Sequence, residues 1–222
     1  DQEYMCIPSD DDSKFIEYEL ITGCEYMANM QWEREVDDVF SGQLYCGVDI
    51  GRKKDLTVLW VVELLGDVLY TRKVIAMEKM RKSEQEKIPY PWFAICDRTC
   101  IDSTGLGIGW ADDAQDKFGE RRVEAVTFTG QVKEALAYPL KGAMEDRKLR
   151  IPDDPVIRAD LRKIQKVTTA AGNIRFVAES TPDGHADRFW ALALAKHAAS
   201  VPSGPVFADS RPRRDRINLQ GY

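Results

Sequence analysis

The order of apolar and polar positions along the chain predicts an α/β protein. Residues 44–50 alternate with a period of two, so four apolar side chains share one face of a strand while Asp49 lies on the opposite face. Two further β-rich runs flank a Gly66–Asp67 turn and predict a hairpin. A fourth strand ends at Asp102, and a fifth covers 121–129. We expect the first three strands to be antiparallel neighbours, with the strand ending at Asp102 beside the first.

Helical patterns alternate with strands in the second half of the chain. Residues 89–92, "PYPW", predict a break before the fourth strand. The predicted helices cover 110–119, 130–149, 154–165 and 182–200, a late β-hairpin covers 166–180, and two patches in the leading segment, 13–21 and 25–40, look helical.

Composition narrows the class of protein. The net charge is −6, but residues 1–40 hold twelve acids against Lys14 and Arg34, so the remainder carries +4 and is compatible with a polyanionic partner. No apolar run approaches the roughly 18 residues of a membrane span. Five cysteines without a CxxC pair indicate reduced thiols in a cytoplasmic protein. Neither His185 nor His197 has a cysteine at ligand spacing, which argues against a zinc site.

Acidic residues stand at positions where a sheet and a helix can bring them together. Two predicted strands end in Asp49 and Asp102, and the last predicted helix carries Asp183 and Asp187 near its start. A lone Asp49 is explained as well by structural hydrogen bonding. Converging carboxylates repel one another unless hard divalent cations neutralise them, which favours Mg²⁺ or Mn²⁺. Two such ions, about 3.5–4 Å apart, are a known arrangement for cleaving phosphodiesters.

Five motifs occur in an order that resembles a known family. "GVDIGRKKD", "IDSTGLG", "FGERRVEAVTFTGQVKEAL", "RKLRIPDD" and "HADRFWALALA" resemble the C-terminal nuclease domain of the large terminase subunit of tailed bacteriophages, particularly its Mu-like branch. The resemblance covers about residues 1–200. It implies an RNase H-like fold with a mixed central sheet flanked by helices, endonucleolytic cutting of concatemeric phage DNA, and two Mg²⁺ or Mn²⁺ ions.

The resemblance also implies a ligand set. Asp49 corresponds to the acid that bridges both ions, Asp102 to the second ligand and Asp187 to the third. Many members have two adjacent acids after the histidine, where this chain has Ala186 and Asp187. Asp183 is therefore a candidate fourth or water-mediated ligand, although an acid in a helix's first turn is favoured by the dipole alone.

Basic residues near these motifs are candidates for contact with the DNA backbone, with a solvated surface as the alternative. Three follow Asp49 and three lie near the late hairpin: Arg52, Lys53, Lys54, Lys163, Lys166 and Arg175.

We expect three segments. Residues 1–40 are an acidic connector that follows a missing ATPase domain, since the sequence has no GxxxxGK[ST] motif. Residues 41–200 are the nuclease domain, and 201–222 form a flexible Arg- and Pro-rich tail. The expected partners are double-stranded DNA, the portal protein, the small terminase subunit and the ATPase domain, in the host cytoplasm and without a membrane.

Three other functions are also compatible with the sequence. A sugar-kinase-like ATPase would use "DIG" and "DSTGLG" to hold phosphates, but its two related halves need more residues than this chain has. A resolvase or transposase would share the RNase H-like fold. A non-catalytic module that clamps DNA and docks on the portal would keep the acids without using them.

Overall fold

The chain forms a mixed β-sheet with helices on both faces and a separate two-stranded hairpin. A computed structural model describes residues 14–27, 30–51, 56–78, 80, 82–168, 174–178 and 186–200. The strands are β1 (Gln43–Asp49), β2 (Thr57–Leu65), β3 (Val68–Met77), β4 (Arg98–Asp102), β5 (Val123–Val126), β6 (Leu149–Arg150), β7 (Ile164–Thr168) and β8 (Ile174–Ala178). The helices are α1 (Tyr18–Thr22), α2 (Lys82–Gln85), α3 (Tyr90–Ile95), α4 (Ile108–Phe118), α5 (Gly130–Glu145), α6 (Pro155–Arg162) and α7 (Asp187–Ser200).

The strand order in the large sheet is β5-β4-β1-β2-β3-β6. Strands β1, β2 and β3 are antiparallel neighbours, whereas β4 is parallel to β1 and β5 is parallel to β4. Strand β6 extends the opposite edge, parallel to β3. The predicted arrangement of the first four strands is confirmed: β1, β2 and β3 are antiparallel neighbours, and the strand that ends at Asp102 lies directly beside the strand that ends at Asp49.

Alternate side chains of β1 contribute to two hydrophobic cores on opposite faces of the sheet, as the period-two pattern predicts. Leu44, Cys46 and Val48 are buried on the face covered by α3 and α4. Tyr45 is buried on the other face, with the side chains of α5, α6 and α7. Because Asp49 follows Tyr45 at a spacing of four residues, its side chain emerges on the α7 side of the sheet.

Helix α7 packs against β1 with no side chain between the two backbones at one point. A Cβ built on Gly47 would lie 2.1 Å from the Ala191 carbonyl oxygen and 2.3 Å from the Ala195 amide nitrogen. Side chains in the middle of α7 are buried along several successive positions, so this helix lies inside the fold. Only glycine at position 47 allows α7 to approach the strand this closely.

The leading segment departs from its predicted helices. Helix α1 forms, but residues 30–40 contain no helix. Glu33 and Glu35 both reach the Lys73 ammonium on β3, at 3.0 and 2.6 Å, as alternate side chains of an extended segment do. Pairing with the sheet therefore overrides the helical pattern at 30–40. Farther back, Phe15 and Ile16 are buried in the same core as α7.

Two smaller features complete the fold. The break predicted at 89–92 is wrong, because α3 begins at Tyr90 and Pro91 stands in its first turn, where proline is tolerated. The late hairpin is confirmed by the antiparallel pairing of β7 with β8.

Among the described helices, none combines the length and the apolar character needed to cross a bilayer.

Candidate metal centre

Asp49 and Asp102 lie side by side at the carboxyl ends of adjacent parallel strands. Val48 of β1 is in register with Ile101 of β4, and each of these residues is followed by an aspartate. Neighbouring strands are about 4.8 Å apart, and side chains in register on parallel strands point to the same face. Both aspartates are buried, with 7% and 6% of their surface exposed. The sheet therefore presents two adjacent carboxylates to α7.

Asp187 enters from the helix that covers this face. It is the first residue of α7, is buried, and accepts a 3.1 Å hydrogen bond from the Leu56 amide through Oδ2. Ala186 precedes it with φ of 66°, an unusual conformation for alanine that turns the chain into the helix. Asp187 thus stands in the first turn, where the helix dipole also favours an acid.

The loop after β4 is shaped around Asp102. Oδ1 of Asp102 accepts a 2.9 Å hydrogen bond from the Thr104 amide, and the Thr104 hydroxyl accepts one from the Phe128 amide. A Cβ at Gly107 would lie 2.0 Å from the Asp102 carbonyl oxygen. Gly105 has φ of 64°, in the left-handed region that glycine enters without strain. The glycines of "STGLG" fold the loop tightly over the end of β4.

The acids act on one another through a poorly solvated space. Burial raises the pKa of Asp49 well above its usual range, and the charges of Asp187, Asp102 and Asp160 raise it further. Lys133 acts in the opposite direction and lowers this pKa. A buried group of carboxylates that disfavours its own ionisation is a site that cations stabilise.

Lys133 is a residue that sequence reasoning missed. Its ammonium lies 4.8 Å from the centre of the Trp190 ring and 5.5 Å from that of Phe128. Burial lowers its pKa, whereas Asp49 and Asp102 raise it. The signal was its position on α5, three residues before the buried Leu136, which places a lysine on the apolar face of a helix.

Asp160 was missed as well. It is buried on α6 between Ile157 and Leu161, so a carboxylate interrupts an apolar helix face. Its Oδ2 accepts a 2.9 Å hydrogen bond from the Arg188 amide, next to Asp187. The Lys163 ammonium forms an ion pair with Oδ1 at 2.9 Å. Asp160 therefore anchors the start of α7 beside the three predicted ligands.

The predicted DNA-contacting residues have different surroundings. Lys163 is held against Asp160 with 13% of its side chain exposed. Lys166 is exposed, with its ammonium 5.5 Å from the Tyr138 ring centre, and Arg175 is exposed on β8. Contact with DNA stays a prediction for all three. The other predicted residues, Arg52, Lys53, Lys54 and the candidate ligand Asp183, lie outside the described residues, as do His185 and the tail 201–222.

The donors that meet at the ends of β1 and β4 are carboxylate oxygens. Such donors suit hard cations such as Mg²⁺, Mn²⁺ or Ca²⁺ rather than the borderline-soft ions that prefer nitrogen and sulphur. Asp49, Asp102 and Asp187 come from three separate elements, and hydrogen bonds from Leu56 and Thr104 orient two of them. The site fits a divalent metal centre on the face of a mixed sheet.

A mixed sheet of this order, with acids at the ends of its first and fourth strands, defines an RNase H-like fold. A profile of the family described as "Terminase RNaseH-like domain" matches residues 46–199. The chain belongs to this family. A comparison with curated protein sequences gives no match.

Solved structures show the same fold. The large terminase nuclease of thermophilic phage G20c, with bound magnesium, matches with a TM-score of 0.65 and 22% identity, over 81% of this chain and 95% of that one. The nuclease domain of Thermus phage P74-26 matches with a TM-score of 0.62 and 20% identity, over 80% and 92%. The large terminase of bacteriophage HK97 gives 0.53 and 17%, over 84% of this chain and 43% of that one.

Proposed function

We propose that this chain is a metal-dependent endodeoxyribonuclease that cuts concatemeric phage genomes during packaging, as the nuclease part of a large terminase of the Mu-like branch. The observation that carries the proposal is the pairing of Asp49 with Asp102 on adjacent strands, with Asp187 entering from α7. Membership of the terminase RNase H-like family supports the same function.

Asp49, Asp102 and Asp187 would hold Mg²⁺ or Mn²⁺, with Asp49 shared between two ions and Asp183 as a candidate further ligand. When bound, such ions activate the attacking water and stabilise the leaving oxygen of a phosphodiester. The charges of Asp187 and Asp102 both raise the pKa of Asp49, so the three carboxylates are close enough to interact and a bound cation would relieve their repulsion.

The protein's own groups fix the carboxylates before any substrate arrives. The Leu56 amide holds Asp187, and the Thr104 amide holds Asp102. Such outer partners keep ligands oriented and are expected to raise metal affinity. Lys133 supplies a positive charge beside Asp49 and Asp102 and is suited to hold a substrate phosphate near them.

Double-stranded DNA is the proposed substrate. Lys166 and Arg175 on the hairpin are exposed and available to its phosphates, and Arg52, Lys53 and Lys54 follow Asp49 in the sequence. The ATPase domain, the small terminase subunit and the portal protein are the proposed partners, in the host cytoplasm. The similarity to the longer HK97 large terminase supports an arrangement in which the nuclease works with other domains.

Nicking of supercoiled plasmid in Mg²⁺ or Mn²⁺ tests the proposal. We expect Asp49→Asn, Asp102→Asn and Asp187→Asn each to reduce nicking by orders of magnitude while circular dichroism shows a folded protein. Asp67→Asn is the matched control, because Asp67 lies in the β2–β3 turn with 75% of its side chain exposed.

The outcomes separate the proposal from its rivals. An Asp49→Asn protein that nicks at the parental rate would return this residue to a structural role. A parent that binds DNA but never cuts it would support the clamping and docking module. ATP turnover by the chain would support the hypothesis of a sugar-kinase-like ATPase.

A further inference from the structure

A second cluster of potential metal ligands lies on the same face of the sheet, beginning two residues before Asp102 on β4. Cys100 of β4 and Glu124 of β5 are cross-strand partners, and His197 reaches them from the last turn of α7. Their candidate ligand atoms all lie within 4.8 Å of one another. Three separate elements thus converge on one point.

The carboxylate of Glu124 lies between the other two groups, with one oxygen towards each. Sγ of Cys100 lies 3.4 Å from Oε2 of Glu124, and Nε2 of His197 lies 3.6 Å from Oε1. A tetrahedral zinc ion with bonds of about 2.3 Å to sulphur and about 2.0–2.1 Å to nitrogen and oxygen separates its ligands by about 3.4–3.6 Å. With Oε2 held by Arg98, a side-chain rotation that brings Oε1 towards the Cys100 sulphur would complete such a site.

The chemistry of the cluster differs from that of the aspartates. A thiolate, an imidazole and a carboxylate together select zinc-like ions rather than Mg²⁺. Cys100 is fully buried, whereas His197 and Glu124 are each one third exposed, so an ion and a water molecule can enter from that side.

Arg98 is part of the cluster and has to be accounted for. Its guanidinium contacts Oε2 of Glu124 in an ion pair and also lies within hydrogen-bonding reach of the Cys100 sulphur, while Oε1 faces His197. A ligating carboxylate commonly has its second oxygen held by an outer partner, and Arg98 occupies that position. The alternative is that Arg98 alone satisfies Glu124 and leaves no role for a metal.

We propose that Cys100, Glu124 and His197 bind one zinc-like divalent ion, with water as the fourth ligand. The Cys100 thiol releases its proton to solvent as the sulphur–metal bond forms. The ion would join β4, β5 and the end of α7. Because β4 also carries Asp102 and α7 also carries Asp187, it would brace two elements of the proposed catalytic centre. Sequence spacing argued against zinc because it registers only ligands that are close in sequence.

Titration of the metal-free protein with Co²⁺, followed by absorption spectroscopy, tests the site. A cobalt–thiolate bond gives a charge-transfer band in the near ultraviolet, which an all-carboxylate site cannot produce. We expect this band to saturate near one equivalent and to disappear on addition of Zn²⁺. It should be lost in Cys100→Ser and should persist in Cys24→Ser, since Cys24 contacts Met144 and Arg147 instead. It should also persist in Asp187→Asn.

His197→Ala provides a second variant at a partly exposed position, where misfolding is a smaller risk. We expect its Co²⁺ affinity to fall more than about 100-fold, beyond the 10–100-fold typical of lost outer partners. The gain in melting temperature with Zn²⁺ should shrink in parallel. No thiolate band in the parent, or a band that survives in Cys100→Ser, would overturn the proposal and leave an Arg98–Glu124 ion pair only.

Discussion

Gly47→Ala tests how closely α7 must approach the sheet. The added Cβ would stand 2.1 Å from the Ala191 carbonyl oxygen and 2.3 Å from the Ala195 amide nitrogen. Both are backbone atoms, so no side-chain rotation relieves the contact. To reach an ordinary van der Waals separation of about 3.5 Å, α7 has to move away from β1 by at least about 1 Å.

The expected effect on stability follows from this displacement. Overpacking of a dense core costs about 1–3 kcal/mol, and we expect the upper end here because rigid backbone is involved. For a domain of this size, about 3 kcal/mol lowers the melting temperature by roughly 6–12 °C. Asp187 moves with α7, and a displacement of about 1 Å reduces the activity of a catalytic site by about 100-fold.

The assay compares melting and plasmid nicking in Gly47→Ala and in Gly142→Ala. The control lies inside α5, and a Cβ there has no neighbour within 4 Å. Alanine in a helix should raise its stability by up to about 1 kcal/mol. Nicking is measured well below both melting temperatures. A Gly47→Ala protein that melts within about 2 °C of the parent and nicks normally would refute this account of the packing.

Three further predictions follow from other parts of the molecule. Glu63→Ala should lower the free energy of unfolding by about 3–5 kcal/mol in denaturant titrations, because the buried carboxylate pairs with Arg72 and accepts two amides. The raised pKa of Asp49 means that its ionised form opposes folding, so the contribution of Asp49 to metal-free stability is greatest below its ordinary pKa of 3.8 and falls as pH rises towards the folded value. In chelator, Asp49→Asn should therefore melt above the parent at pH 7, and the gap should close near pH 4; a pH-independent gap would contradict this. Truncation after Ser200 should leave nicking largely intact, and loss of folding would show that the tail belongs to the core.

Much of the fold could be predicted because its signals are local. The period-two pattern of β1 determines which face carries Asp49, and the Gly66–Asp67 turn joins β2 to β3. The segment at 30–40 could not be predicted in the same way. Its helical pattern is weaker than its pairing with β3, where the Arg34 amide bonds to the Arg72 carbonyl oxygen and Lys73 binds two glutamates. That pairing depends on residues far away in the sequence.

In the candidate site too, residues marked by local patterns were predicted, whereas those defined by distant contacts were missed. The sequence predicted Asp49 and Asp102 as strand-end acids, and the register of β1 with β4 brings them together. Lys133 and Asp160 were missed, although each interrupts an apolar helix face, because a polar residue there has many explanations until its neighbours are known. The pairing of Lys163 with Asp160 likewise depends on how α6 meets α7.

The parallel pairing of β1 with β4 fixes the relative positions of two of the three aspartates in the candidate centre. Backbone hydrogen bonds set the distance between the ends of adjacent strands, so substitutions in the core leave the Asp49–Asp102 separation almost unchanged. Asp187 belongs to a helix that no ladder bonds to the sheet, and its distance from the other two acids depends on where α7 rests. The height of α7 above the sheet therefore sets where Asp187 stands relative to a fixed pair of carboxylates.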